Sequence, residues 1–435
     1  MKRKRKLSSL EHIVDGHIVY FVSLEGGFSL DQLRSALARV QRKHPALRAL
    51  LREEPDGLYS ETDCAPAIPL RVVPRATEDD YRGECQTELT TVFAYGQPQL
   101  RAVWLQSERE NDLLLTTSHR VCDGMSMLII VREVLQALHT DEELIPYEPV
   151  TTRDIIGDYQ PSQPGKSKRR VRLINGLLRL IPNSRRALNN NEHLLEWKAD
   201  RALLDALKQR CKAEGVTVHA SLVVALDRAL LAVFGKEKLP KWIDNPMDIR
   251  RGRLAALKSD MVFFAGGSFK VRSGQAPEEE FWTRARAIHD EIHMQIEREL
   301  LAIPSRFYFF EMLRPPTSGQ IRSIVRLGDA LKLNGSWNCF ALSNLGNITV
   351  SESNAQFRVK DLRLYMHSFT FRVLCLVTYT LNGEMRFYCV GDEKCLSRSQ
   401  AATLKREFMD LLQHQVMPAD GGAVEVARMA GAVAE

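Results

Sequence analysis

Seven residues near position 120 constrain this chain more than any other feature. Ser118-His119-Arg120-Val121-Cys122-Asp123-Gly124 stands between an apolar, strand-like run, Asp112 to Thr117, and an amphipathic run that begins near Met125. A histidine at a strand-to-helix junction has its ring pose set by backbone on both sides. HxxxDG alone fixes three of six positions, so its surroundings carry the argument. A purely structural reading is also complete. Asp123 would cap the helix by accepting first-turn N–H groups, Gly124 would relieve the backbone, and His119 would be a bonded core residue. No metal site is expected, because His119, Cys122 and Asp123 lack a second ligand pair at zinc spacing.

The chain has 435 residues, more than one hydrophobic core usually serves, so two domains are expected. A composition 44% apolar and 26% charged is that of an ordinary soluble protein. No uninterrupted apolar run approaches the ~18 residues of a membrane span. The basic start, Met1 to Lys6, is not followed by a signal-peptide core, and the eight cysteines are scattered without CxxC pairs. Reduced thiols and a cytoplasmic location follow. The net charge of +6 is too mild to imply nucleic acid, and the Lys/Arg runs lack the interleaved aromatics that single strands stack on.

Strands and helices alternate through the first half. His17–Leu24 reads as a strand, and Ser29 opens a helix with a capping box to Gln32. Leu30, Leu33, Leu37 and Val40 give that helix its apolar face, and it stops before Pro45. Strands are expected at 47–52, 68–73, 100–106 and 112–117, the last two as an antiparallel hairpin. A helix from Met125 to Leu138 then turns Leu128, Val131 and Val134 inward.

A linker-like stretch at 161–165 precedes Lys166–Arg186, which holds eight basic residues and no acidic one. Val171, Ile174, Leu177, Leu178 and Ile181 are assigned to one face of a helix there. It suits an anionic membrane surface or an acidic partner, or else rests on the protein between domains. Lys166 and Ser167 do not make a phosphate loop, because Gln160 occupies the required upstream glycine position. The second half restarts with a strand at 193–198, helices at 202–213 and 218–234, and strands at 241–248 and 261–271. A long helix at 277–301 and strands at 339–342, 357–364 and 369–380 follow. Asn382-Gly383 marks a hairpin, and 397–413 is a last helix. The domains read as 1–160, a basic linker 161–192, 193–417, and a loose tail 418–435.

Four segments together give a family resemblance. Lys43-His44-Pro45-Ala46-Leu47-Arg48 resembles an HPxLR ending of the first helix, and Ser118–Gly124 resembles HHxxxDG with the first histidine replaced by serine. Asn245-Pro246-Met247-Asp248-Ile249-Arg250 resembles P-x-D-x-R, and Ser343-Asn344-Leu345-Gly346 resembles SNLG. In this order they are similar to the condensation-domain superfamily of chloramphenicol acetyltransferase-like acyltransferases, nearest its bacterial alcohol and polyketide-associated branch. The resemblance implies an α/β fold of two sandwich lobes in a V-shaped pseudo-dimer, with an active-site tunnel at their junction. His119 would be the general base, and Asp123 an anchor that turns away from it to pair with Arg250. Ser118, Gly124, Ser343 and Asn344 would lie around the site. No bound cofactor is implied. The co-substrate would be acyl-CoA or a phosphopantetheinyl carrier protein, and the acceptor an alcohol or amine.

Three functions remain open at this level. The first is transfer of an acyl group from a thioester to an alcohol, in lipid or secondary metabolism. Amide formation from a carrier-bound donor is the second, and a binding protein without catalysis the third. Ser118 in place of the first histidine is the only feature favouring the last. A monomer is expected, with peripheral membrane contact through 166–186.

Overall fold

The computed structural model describes residues 4–416, apart from 55–56, 78, 109, 187, 189–190, 252–253, 255, 265, 332–338, 351–355 and 370–371. The tail assigned to 418–435 lies outside them. In chain order the first half runs β1 (Lys4–Lys6), α1 (Ser9–Ile13), β2 (Gly16–Gly26), α2 (Leu30–Lys43), α3 (Pro45–Arg48), β3 (Leu50–Glu54), β4 (Gly57–Glu61), β5 (Leu70–Pro74), α4 (Asp80–Thr90), β6 (Leu100–Gln106), β7 (Glu110–Ser118) and α5 (Gly124–His139). Two helices, α6 (Thr152–Ile156) and α7 (Pro164–Leu180), then lead to β8 (Glu192–Ala199), α8 (Arg201–Ala213), α9 (Val218–Lys238), β9 (Trp242–Met247) and β10 (Gly267–Arg272). The chain continues through α10 (Phe281–Met312), α11 (Ser318–Ala330), β11 (Cys339–Asn347), β12 (Phe357–Ser368), β13 (Cys375–Leu381), β14 (Glu384–Asp392) and α12 (Arg398–Val416).

β2 explains the first lobe. Its first nine residues are all buried, as a strand apolar on both faces must be. It lies inside a five-stranded sheet of order β12-β2-β7-β6-β5. The β6–β7 pair is the expected antiparallel hairpin, and β7 delivers Ser118 opposite His17 of β2. Helix α2 carries the expected capping box, in which Ser29 and Gln32 bond each other's backbone N–H. It ends at Lys43, and Pro45 starts the separate turn α3, so the strand expected from 47 begins only at Leu50.

The second lobe is a six-stranded sheet of order β10-β9-β11-β13-β14-β8. Its core joins α8, α9, α10 and α12 to the sheet through Leu204, Leu226, Ile288 and Phe408. Helix α9 is the one described helix long and apolar enough to cross a bilayer, yet Leu222 to Leu226 pack in this core. The β13–β14 hairpin turns at Asn382 and Gly383, both at positive φ (53° and 82°), which a two-residue turn of this kind requires. Each lobe is a mixed α/β layer structure.

Three expectations need correction. The long helix runs on to Met312 and a further helix, α11, follows it. The strand assigned to 369–380 begins only at Cys375, and the one assigned to 261–271 begins only at Gly267. In addition, β12 belongs to the second half of the sequence but pairs antiparallel with β2 from Phe357↔Gly26 to Ser368↔Gly16. Leu362, Leu364 and Tyr365 of β12 sit in the first lobe's core, so one strand crosses the domain division at 161–192. Replacing fully buried Leu362 by alanine should cost about 2–5 kcal/mol. Denaturant titration should still show one cooperative transition, because the strand ties the lobes together. Two separated transitions would contradict that coupling.

Candidate active site

The backbone of the HxxxDG turn is held at both ends. The His119 N–H donates to the Gly16 carbonyl at 2.9 Å, and the Val121 N–H donates back to the Ser118 carbonyl at 3.2 Å. Within this turn, Nδ1 of His119 lies 2.8 Å from the Cys122 carbonyl oxygen. A carbonyl only accepts, so Nδ1 carries the hydrogen and Nε2 carries the lone pair. The edge of Phe264 meets the ring at 5.7 Å and 82°. His119 is half-buried, neither sealed in a core nor on the open surface. Its geometry is that of an imidazole with a chosen tautomer.

Asp123 does not touch that ring. One oxygen accepts from the Ser126 N–H at 2.7 Å, which makes Asp123 the N-cap of α5. Both oxygens also accept from Arg250, Oδ2 from Nη1 and Oδ1 from Nη2, each at 3.0 Å. The capping role and the ion pair therefore coexist in one carboxylate. Gly124 is the first residue of α5 and a Cβ there would meet only ordinary contacts, the nearest being Leu345 at 3.5 Å. Backbone relief is thus not its role. Leu345 of β11 lies beside the start of α5 there, and the Tyr20 hydroxyl donates to the Gly124 carbonyl at 2.8 Å.

The Arg250 side chain is completely buried, and every face of its guanidinium has an acceptor. Nε donates to the Met261 carbonyl at 2.7 Å, Nη1 also to Asp248 at 2.9 Å, and Nη2 also to the Phe263 carbonyl at 2.6 Å. Burial alone would lower this group, but Asp123 and Asp248 outweigh it and hold it above its ordinary value. The same cation therefore ties α5 of the first lobe to the 261–263 segment of the second half.

This segment explains why no strand forms at Met261. Its backbone groups bond side chains rather than a neighbouring strand. The Ser126 hydroxyl donates to the Phe263 carbonyl at 2.9 Å and accepts the Phe263 N–H at 3.1 Å. The Val262 N–H donates to Nδ1 of His44 at 3.4 Å. Fully buried His44 then donates from Nε2 to Glu133 at 2.5 Å. Lys43 bridges Glu133 at 2.5 Å and Asp260 at 2.7 Å, and the Tyr147 hydroxyl also donates to Asp260. Sequence reasoning missed Ser126, Glu133 and Asp260. A signal existed for the first two, which stand seven residues apart on the apolar face of α5, where a polar side chain requires a buried partner.

The other expected residues play smaller parts. Ser118 is buried, and its hydroxyl accepts the Arg120 N–H at 3.4 Å, a local bond within the turn. The side-chain oxygen of Asn344 accepts the Gly346 N–H at 2.9 Å, with Gly346 at φ 71°, where β11 breaks register between Asn344 and Asn347. Ser343 pairs with Val377 in the second sheet. Burial pushes the Cys122 thiol up to about 12, so it stays protonated. Arg120 lines a cavity of about 700 Å3 together with His12, Tyr95 and Arg314, immediately beside the HxxxDG turn.

No protein-family profile matches the chain. Malformin synthetase mlfA of Aspergillus niger is 28% identical over 148 residues, which is 33% of this chain and only 3% of the synthetase. The chain thus spans a small fraction of the length of the curated relatives it matches. Among solved structures, the first condensation domain of the calcium-dependent antibiotic synthetase superimposes with a TM-score of 0.64 at 14% identity. That match covers 96% of this chain and 97% of the other. The TRI3 trichothecene 15-O-acetyltransferase of Fusarium sporotrichioides superimposes at 0.67 and 10% identity, covering 96% of both. The chain has the condensation-domain fold. Within that fold, HxxxDG and the Arg250 centre lie where α5 meets the second half of the chain.

Two outcomes test this centre. Arg250→Ala leaves the Asp123 and Asp248 carboxylates without their shared cation and should destabilise the protein by about 3–5 kcal/mol in urea titrations. Asp123→Asn keeps an N-cap acceptor and loses only charge, so its cost should be clearly smaller. Equal costs would mean that the charge of Asp123 alone carries the full effect of the ion pair. The second concerns His17, opposite Ser118. Burial, aided by Arg101, lowers its pKa from 6.5 to about 4. The unfolded chain therefore takes up the proton first. Stability contributed by neutral His17 is complete above about 6.5 and lost as pH falls toward about 4. Melting temperatures should fall across that window, and His17→Gln should flatten the fall.

Proposed function

We propose that this protein is an acyltransferase that moves an acyl group from a thioester to an alcohol, with His119 as general base. The observation that carries the reading is the Nδ1 hydrogen bond to the Cys122 carbonyl, because it presents Nε2 as an acceptor without help from a carboxylate. A neutral alcohol attacks a thioester poorly until its proton is being removed. Nε2 takes that proton as the alcohol oxygen bonds to the thioester carbonyl carbon. The tetrahedral intermediate then breaks its C–S bond, and the imidazolium returns the proton to the departing sulfur. A positioned base of this kind supplies about 10²–10⁴-fold.

Asp123 and Arg250 act in this reading as positioning residues. They fix the start of α5, and so the turn that aims His119, against the 261–263 segment. The donor is an acyl thioester on coenzyme A or on a phosphopantetheinyl carrier protein, reaching His119 through a passage between the lobes. The likeness to a trichothecene O-acetyltransferase supports the ester product. A second reading, amide formation from a carrier-bound donor, draws on the matches to malformin synthetase and to a condensation domain. The base chemistry is the same, with an amine as nucleophile.

Purified protein incubated with acyl-CoA, acyl carrier protein and panels of alcohols and amines separates the two readings by product. His119→Ala should lose at least about 10²-fold in turnover while keeping the wild-type melting temperature. Turnover that persists in this variant would overturn both, and ligand binding without thioester cleavage by any donor would identify a binding protein instead.

A further inference from the structure

Helix α7 is the part of the molecule that the acyl-transfer reading does not use. Val171 is its only buried residue, and Ile174 and Leu178 are half-buried beside it. Leu177 does not belong to that inner face, contrary to the sequence expectation. It is 55% exposed, and Leu173 and Leu180 are 65% and 78% exposed. Positions 173, 177 and 180 follow i, i+4, i+7 spacing, so the three form one outward row. Lys166 and Arg169 extend the same side toward the helix start, Arg170 turns back over the Phe309 ring of α10, and Lys168, Arg172 and Arg179 follow one flank at 100° per residue. All eight basic residues between 166 and 186 are exposed, and that stretch contains no acidic residue. Helix α11 adjoins the far end, where the Gln320 amide donates to the Leu178 carbonyl at 2.6 Å and Ser323 to the Pro182 carbonyl at 2.7 Å. Leu327, one turn beyond Ser323, and Leu331 are 59% and 62% exposed.

We infer that the outward face of α7 docks on an anionic membrane surface. Three solvent-facing leucines in one row are costly in water and gain when they enter the acyl boundary of a bilayer. Cations surrounding that row sit at headgroup level, where each contributes about 1 kcal/mol against anionic lipid. The leucines form one exposed row, and the charges are spread along and beside it rather than converging on one point. A bilayer offers a diffuse negative plane that matches this layout, whereas an acidic protein partner offers a few localised carboxylates. The inference rests on this surface alone and stands apart from the chemistry at His119.

Full-length protein mixed with sucrose-loaded vesicles tests it. The protein should sediment with phosphatidylcholine vesicles containing about one third phosphatidylglycerol and not with phosphatidylcholine alone. Raising salt from about 0.1 to about 0.5 M should release it. The triple variant Leu173→Ser, Leu177→Ser, Leu180→Ser should keep its melting temperature and partition at least about tenfold more weakly. Lys168→Gln, Arg172→Gln, Arg179→Gln should weaken binding to anionic vesicles to a similar degree. Absence of sedimentation with anionic vesicles would overturn the inference, as would full binding by the serine variant. Retention on an immobilised acidic carrier protein, leucine-dependent and without vesicle binding, would overturn it in favour of a protein dock.

Discussion

One buried cation organises this molecule. Arg250 is enclosed, and a guanidinium taken out of water is tolerated only when its donors are met. Asp123, Asp248 and the carbonyls of Met261 and Phe263 meet them. Because those acceptors come from both halves of the chain, satisfying the charge also sets how the halves dock. The start of α5 cannot shift without uncovering the pair, and the turn bearing His119 leads directly into that helix.

A second network holds the same segment. Lys43, His44 and Glu133 grip Asp260 and the Val262 N–H, so the 260–263 segment is clamped between two sets of first-lobe groups. Each donor in these networks has an acceptor of defined geometry, which favours one docking over its neighbours. The crossover of β12 into the first sheet adds an eleven-pair antiparallel ladder to the same junction. Together they make a rigid frame for a half-buried histidine whose tautomer is chosen by a backbone carbonyl. The general-base role proposed for His119 would draw on that frame to hold the ring in place.

Much of this was legible in the sequence where the signal is local. The capping box at Ser29, the stop before Pro45, the hairpin at Asn382-Gly383 and the strand-to-helix turn at 118–124 are each written within a few residues. The pairing of Asp123 with Arg250 was reachable only through the resemblance, since 127 positions separate them. The segment at Met261 misled because its continuous apolar run, Met261 to Phe264, is that of a buried strand. Its backbone groups are instead claimed by side chains far away in sequence. Leu177 misled for a related reason, because periodicity shows that a helix has apolar stripes but not which one the protein covers.

By itself the sequence determined the identities and spacing of the local parts: which runs are strands or helices, where they are capped, and that a histidine stands at a turn. Those depend on backbone preferences and on periods of two or 3.6 residues, which act over short range. The tertiary structure alone decided that β12 joins the first sheet, that 261–263 is held by Arg250, His44 and Ser126, and that α7 shows leucines to solvent. These outcomes depend on which surfaces meet and which buried polar groups find partners. Burial is a property of the assembled chain, not of any segment within it.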